Sequence, residues 1–468
     1  MAEQPFDLAI LGGGPGGYPA ALRAAQLGLK VAVVEKYKVG GTCLHWGCIP
    51  TKVILESAEV YSMARRGQEF GVGVQDVTLD YGQVSRRRER VVSQLTGGIE
   101  FLFKKKGVTL VRGDGKLTSP TTISVALTEG GTTEVSAKDV IVATGSISKS
   151  LPGVKVDGDR IINSDHAATM AQLPGSIIIV GAGAIGVEFA SAWSDMGTQV
   201  TLVEMLPRVL PLEDQEVSDE LGKLLGRRGI RVLVGAGVKL DSIQTHPDSV
   251  ELEVEHNGST ERLSAERLLV ATGRAPATAG IGLDGLGVRV ERGFIQVDGL
   301  MRTGVPHLYA IGDVVGGPML AHKATAEGLL AAEAIAGRNP RPLDYRRIPS
   351  CTYCRPQVAS VGMRESEAVE QGHRVKVGRF PFRASGMAAI LGERDGFVKV
   401  IADEESMEIL GVHILGPRAT ELIAEAALAR LLEATPDEIA TNVHPHPTVS
   451  EALMEAAEAV EGKAIHFA

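Results

Sequence analysis

Cys43 and Cys48, with four residues between them in GGTCLHWGCIPTK (Gly40 to Lys52), are the residues of this 468-residue chain best suited to chemistry. Thiolates are the reactive form of cysteine, so a close pair suits redox catalysis by thiol–disulfide exchange, or metal binding. Metal is the weaker option, because zinc sites favour C-x2-C spacing and need two further ligands. Gly40 and Gly41 let the backbone approach a ligand closely, Pro50 limits the next helix, and Lys52 stands one turn after Cys48. A second group lies in NVHPHPTVSEALMEAAEAV near the other end. Pro445 and Pro447 keep His444 and His446 out of a regular helix, on a stiff loop just before one that starts near Ser450 and Glu451. A lone histidine is usually structural, but one followed five residues later by glutamate is a candidate acid/base pair.

Such groups need an electron partner, and the elements around them suggest one. FDLAILGGGPGGYPAALRAAQLGLKVAVVE reads as strand, glycine turn, helix and strand, with Gly12, Gly14 and Gly17 in G-x-G-x-x-G and Glu35 closing the second strand. Residues without Cβ permit a tight turn and close approach to a pyrophosphate, and a terminal carboxylate accepts from a ribose hydroxyl. The unit recurs as SIIIVGAGAIGVEFASAWSDMGTQVTLVE, with Gly181, Gly183, Gly186 and Glu204. Glu204 would accept from a free 2′-hydroxyl and repel a 2′-phosphate, which predicts NAD rather than NADP. Two fingerprints imply two dinucleotides, and because hydride passes readily between nicotinamide and flavin the economical pairing is FAD with NAD. Apolar runs also stop at glycine in VIVATGS, LLVATGR and LYAIGDV, as strands do when they present backbone to a ligand at a sheet edge. In the last run, Asp313 is a candidate to cap the helix-like segment AHKATAEGLLAAEAIAG and to contact the cofactor, roles that are compatible.

The whole chain sets limits. Its length exceeds the roughly 250–300 residues of a single core. The formal charge of −9 argues against nucleic acid as the main partner, and RRRER (86–90) and KKK (104–106) read as solvated helix faces. With no leader pattern and no apolar stretch near the ~20 residues of a spanning helix, a soluble cytoplasmic protein without a membrane partner is expected. From about Ile348, RVKVGRFPF, GFVKVIAD and ILGVHILG read as strands and TELIAEAALARLLEA as an amphipathic helix, a separate α+β domain.

GGTCLHWGCIPTK and HPHPTVSE together resemble the pyridine nucleotide-disulfide oxidoreductases, and within them the members that oxidise dihydrolipoyl groups. The resemblance runs from the first glycine fingerprint to the terminal helix. It implies an α/β fold of two Rossmann-like dinucleotide-binding domains plus a C-terminal α+β dimerisation domain. The expected divisions are 1–149 for FAD and the redox pair, 150–275 for NAD, 276–347 for a central part completing the FAD site, and 348–468 for the interface. It also implies a Cys43–Cys48 disulfide, with Cys43 attacking the lipoyl sulfur and Cys48 against the flavin in a charge-transfer complex. His446 would be the base and Glu451 its orienting group, both serving Cys43 of the second subunit of a homodimer. Implied FAD contacts are Gly12, Gly14, Gly17, Glu35, Gly115, Thr144, Gly145, Ser146, Asp313, Met319, Leu320, Ala321, His322 and Lys52, the last near the flavin N5 and paired with Glu188. Implied NAD contacts are Gly181, Gly183, Gly186, Glu188, Glu204, Val238 and Gly273. The implied reaction oxidises dihydrolipoyl groups of 2-oxoacid dehydrogenase or glycine cleavage complexes and reduces NAD to NADH, with lipoyl domains of an acyltransferase component as partners.

Glu204 disfavours the glutathione-reductase type, and the terminus GKAIHFA, without cysteine, disfavours mercuric reductase and large thioredoxin reductases. His45 and Trp46 stand where the family leads one to expect small or amide residues, and in SCTYCRPQVASVG Cys354 replaces a common Thr and Gln357 a common Glu. Cys351 and Cys354 read as interface-strand cysteines rather than a second redox or metal site, since no partner ligands are evident nearby. Two rival functions are an NADH-dependent reductase of another small disulfide and a low-turnover flavoprotein that scaffolds an acyltransferase complex or senses NADH. The joint presence of Cys43, Cys48, His446 and Glu451 speaks against the second.

Overall fold

Leu8–Leu11 and Val31–Glu35 are buried at every position, which suits strands of a parallel sheet covered on both faces. The structure, a computed structural model, describes residues 5–467. In it Thr109–Ser119, Val31–Glu35, Phe6–Leu11, Thr132–Val142 and Leu308–Ala310 lie side by side, all parallel. The two long strands run on past this sheet and pair antiparallel with Thr122–Leu127 between them. Alternation along Phe6–Leu11 sends Leu8 and Ile10 into one core and Ala9 and Leu11 into the other. Helices Gly17–Gln26 and Ala321–Ile335 pack on each other, closely enough that a Cβ on Gly328 would stand 2.4 Å from the Gly16 carbonyl oxygen. These elements form the first of two compact units, made of the chain as far as Val53, Gly82–Lys149 and Arg274–Leu343.

The second unit takes Ile54–Tyr81, Ser150–Gly273 and the chain from Asp344 onward. It repeats the plan with a parallel sheet in the order Arg231–Val234, Gln199–Glu204, Ser176–Val180, Arg267–Val270, Ile161–Asn163. An antiparallel meander of Gly237–Thr245, Val250–His256 and Ser259–Ala265 accompanies it. Its other half is an antiparallel sheet ordered Ser350–Thr352, Gln357–Gly362, Ile409–Gly416, Phe397–Asp403, Val375–Pro381. Helix Ala419–Leu431 covers the strands Gln357–Gly362 and Ile409–Gly416, and helix Glu451–Ala459 covers Val375–Pro381 and Phe397–Asp403. Lys399, 1% exposed, joins the two halves of this unit: its Nζ lies 3.0 Å from Asp214, 2.7 Å from Glu216 and 2.7 Å from Glu365. Burial works against the ammonium, yet the three carboxylates hold its pKa above the usual value.

Three sequence expectations change. Arg88 in RRRER is buried and donates to Ser85 Oγ at 2.7 Å, so that run is not wholly a solvated face. Asp313 does not cap helix Ala321–Ile335, whose cap position is Leu320; it sits in the 3-10 turn Gly312–Val315. Pro50 does not limit the helix after Cys48 but stands inside its first turn, where its missing N–H goes unneeded. Among the described residues no helix is long and apolar enough to cross a membrane, and no cluster of three or more His, Cys, Asp or Glu is placed to hold a metal ion.

Candidate active site

Cys43 and Cys48 form a disulfide with Cα atoms 4.6 Å apart. It closes the short span between helix Gly41–His45 and helix Cys48–Arg65. Cys48 is the first residue of that 18-residue helix, where the positive end of the helix dipole favours a thiolate. The glycines ahead of the pair seat it on the first fingerprint. Gly40, at φ +103°, donates its N–H to the Gly13 carbonyl at 2.8 Å, and a Cβ on Gly41 would lie 2.7 Å from Gly14 Cα. Beside the disulfide, His45 Nε2 lies 2.9 Å from the Val39 carbonyl oxygen, and burial lowers the imidazole pKa despite that bond. The ring is therefore neutral at pH 7 and carries its proton on Nε2 to donate to this oxygen.

Each fingerprint divides three tasks among its glycines. Gly12 and Gly181 take φ +108° and +105°, and a Cβ there would strike the carbonyl oxygens of Ala143 and Ala271. Gly17 and Gly186 let helix meet strand, since a Cβ would stand 1.9 Å from the Gly12 or Gly181 oxygen. Gly14 and Gly183 differ: a Cβ would meet only Gly41 Cα at 3.8 Å in the first case and nothing within 4 Å in the second. Open space at the middle glycine, next to a helix N-terminus, fits the approach of a pyrophosphate. Glu35 receives the N–H groups of Gly13 and Tyr37 at 2.7 and 2.8 Å, and Glu204 those of Ala182 and Leu206 at 2.7 and 2.9 Å. Each carboxylate keeps acceptor capacity for a ribose hydroxyl.

The first unit gathers the remaining residues expected around FAD. Thr144 donates to the Ala277 carbonyl at 2.8 Å, Gly145 has φ +72° with open space beside its Cα, and Ser146 donates to Asp313. Gly115 has a packing reason, because a Cβ would lie 2.5 Å from Leu11 Cδ1. Met319 and Leu320 lead into Ala321 and His322 at the uncapped start of their helix, whose first N–H groups lack helical acceptors. The second unit holds Glu188, buried and accepting the Tyr353 N–H at 2.9 Å, with Val238 in the meander and Gly273 at φ +106° facing open space. Lys52 belongs to the first unit and Glu188 to the second.

The second unit also carries the acid/base candidates. His446 Nδ1 is 2.8 Å from Glu451 Oε1, while Glu451 Oε2 accepts the Thr448 N–H at 2.8 Å. Burial would raise the Glu451 pKa, but these two bonds outweigh it and hold the carboxyl below its usual range. The His446 side chain is 79% exposed, so its second nitrogen faces outward from this chain. The His444 side chain, in contrast, is buried, with Nε2 at 2.9 Å from Glu425 and Nδ1 at 2.8 Å from the Asn442 carbonyl oxygen; it anchors the loop. Cys351 and Cys354 are not bonded to each other, and burial pushes the Cys354 thiol up to about 12. Such a thiol is inert to exchange near neutral pH.

The pyridine nucleotide-disulphide oxidoreductase family matches residues 6–328, and its dimerisation domain matches residues 348–457. The chain belongs to this family. It is 49% identical over 470 residues to the dihydrolipoyl dehydrogenase of Bacillus subtilis, covering 99% of both chains, and 45% identical to that of Zymomonas mobilis over the full length of both. Among solved structures it is similar to LpdA of Mycobacterium tuberculosis, with TM-score 0.89 at 29% identity over 96% of this chain and 98% of that one. It is also similar to the HOCl-induced flavoprotein disulfide reductase RclA of Escherichia coli, with TM-score 0.87 at 26% identity over 97% and 99% of the two chains.

As a pyridine nucleotide-disulphide oxidoreductase the protein uses FAD and NAD, and it carries the dimerisation domain of the family. Sequence reasoning missed the groups that hold the expected FAD contacts in place. Arg274, the last residue of LLVATGR, donates Nε to Ser146 Oγ at 2.7 Å and Nη2 to the Ser146 carbonyl at 2.9 Å. Lys323 and Glu327, both fully buried, pair at 3.2 Å. Lys323 donates to the carbonyls of Gly312 and Gly316, and Glu327 accepts the Gly312 N–H, so the pair fixes the turn that carries Asp313. Their spacing of four in AHKATAE was the available signal.

Proposed function

We propose that the protein is a dihydrolipoyl dehydrogenase, acting on lipoyl domains of a 2-oxoacid dehydrogenase or glycine cleavage complex in the cytoplasm. The observation that carries this reading is the Cys43–Cys48 disulfide, seated on the first glycine loop with Cys48 at a helix N-terminus. Cys43 is the exchanging thiol. A dihydrolipoyl thiolate breaks the enzyme S–S bond and forms a mixed disulfide with Cys43; the second lipoyl thiolate then releases Cys43, leaving cyclic lipoyl disulfide and a reduced cysteine pair. His446 takes the dithiol proton on Nε2, because Glu451 holds the Nδ1 side of the ring. In the homodimer His446 and Glu451 serve Cys43 of the second subunit. Bound FAD and NAD supply the two-electron relay that reoxidises the pair.

The FAD-binding residues in this reading are the first fingerprint, Glu35, Lys52, Gly115, Thr144–Ser146, Asp313 and 319–322. NAD is held at the second fingerprint, Glu188, Glu204, Val238 and Gly273. An anaerobic assay with dihydrolipoamide, supplying NAD and NADP in turn, tests the proposal. Fast turnover with NAD alone supports it. A flavin-loaded protein that turns over neither favours the second reading, NADH-dependent reduction of another small disulfide; the similar RclA is named a flavoprotein disulfide reductase.

A further inference from the structure

The span between the two cysteines is held from outside at two points. Buried His45 donates to the Val39 carbonyl, and Trp46 meets Tyr37 edge to face, with ring centroids 5.5 Å apart and planes at 80°. Both anchors lie in the turn between strand Val31–Glu35 and helix Gly41–His45. That turn is itself tied to the first glycine loop through Gly40. None of the roles assigned above uses the side chains of His45, Trp46 or Tyr37.

We infer that His45, supported by Trp46 on Tyr37, is a positioning residue for the redox pair: it fastens the Cys43–Cys48 span so that the two thiols stay within bonding reach after reduction. In exchange with a dithiol, the enzyme S–S bond breaks, the reductant S–S bond forms, and two electrons and two protons arrive on Cys43 and Cys48. The balance depends on the effective concentration of each thiol for the other, which falls when the chain between them relaxes. Removing the donor would also strip the Val39 oxygen of this partner. One buried hydrogen bond is worth about tenfold in such an equilibrium, or about 30 mV for a two-electron couple.

The inference rests on the redox reading of Cys43 and Cys48 but not on the identity of the dithiol. The test equilibrates the holoenzyme and its variants anaerobically in dithiothreitol buffers of graded dithiol-to-disulfide ratio. Thiols are then trapped by alkylation and counted on the peptide that carries both cysteines. His45→Leu keeps the volume and loses the donor, and it is expected to reach half reduction at an about tenfold lower ratio. His45→Gln, whose amide nitrogen reaches the same carbonyl, is expected to return to within about threefold of wild type. Equal midpoints for wild type and His45→Leu, or equal shifts for Leu and Gln, overturn the inference. Should His45→Leu fail to fold, Tyr37→Ser removes the exposed half of the clamp and is expected to shift the midpoint about threefold; no shift there overturns it as well. The assay contains no lipoyl substrate and no nicotinamide. Lack of dihydrolipoamide turnover would therefore count against the proposed substrate alone, and a wild-type pair that dithiothreitol never reduces would sink the redox reading itself.

Discussion

The glycine loops after Phe6–Leu11 and after Ser176–Val180 agree at three points. The first glycine has φ +108° or +105°, the third lies under its strand with the same forbidden 1.9 Å Cβ contact, and the carboxylate bonds the same loop N–H at 2.7 Å. Beyond the carboxylate the two copies part. After Glu35 the chain turns through Gly40 and Gly41 into the two helices that carry the disulfide, whereas after Glu204 it runs through an irregular stretch with Met205 and Leu212 exposed. A shared nucleotide cradle thus acquires thiol chemistry in one copy from a short addition behind its acidic residue.

Cys48→Ser should separate the two copies most sharply. Dihydrolipoyl-linked NAD reduction is expected to fall by about 10⁴-fold or more, while NADH oxidation by an acceptor reduced directly at the flavin continues. Loss of both, read in a steady-state assay, would show that the cysteine segment also builds the flavin site. Within the second loop, Gly186→Ala is expected to destabilise by about 3 kcal/mol, because its Cβ meets a carbonyl oxygen. Gly183→Ala, with nothing within 4 Å, should leave the melting temperature unchanged and raise the KM for NAD about tenfold. Similar melting curves for the two variants would break the division of tasks. Glu204→Lys should lower kcat/KM for NAD by about 30-fold and raise it for NADP; an unchanged ratio of the two would remove this carboxylate from cofactor choice.

The smallest effect lies outside both loops. The folded-state pKa of Glu451 is depressed, so its contribution to stability is present above the unfolded value and is lost as pH falls through the lower folded one. Because the side chain is partly exposed, Glu451→Gln should cost about 1 kcal/mol or less at pH 7. Its melting temperature should begin to approach that of wild type as pH falls below the unfolded value of about 4.3. A constant gap across that range would mean that the carboxylate is not what Thr448 and His446 stabilise.

Both loops were legible because most of their requirements are local: Gly17 and Glu35 act on atoms within one strand–turn–helix–strand unit, whereas the crowding of Gly12 by Ala143 shows only in the fold. The same holds for His446 and Glu451, five residues apart on a loop stiffened by proline. Arg274 with Ser146, and Lys399 with Asp214, were not legible, since their partners lie more than a hundred residues away and no periodicity links them. His45 stood out in the sequence only as an unexpected residue type. Its role depends on burial and on the Val39 carbonyl, which spacing does not reveal. Arg88 misled for the opposite reason, as one buried member of a run whose neighbours Arg86, Arg87 and Arg90 are exposed.

The pair Lys323 and Glu327 constrains any attempt to redesign the turn that carries Asp313. With both side chains sealed from solvent, replacing either one alone strands a buried charge at a cost of about 3–5 kcal/mol, whereas exchanging both for apolar residues of similar volume removes the two charges together. Mutant libraries that sample one position at a time will find this helix intolerant, and only libraries that vary positions 323 and 327 jointly can cross to other solutions.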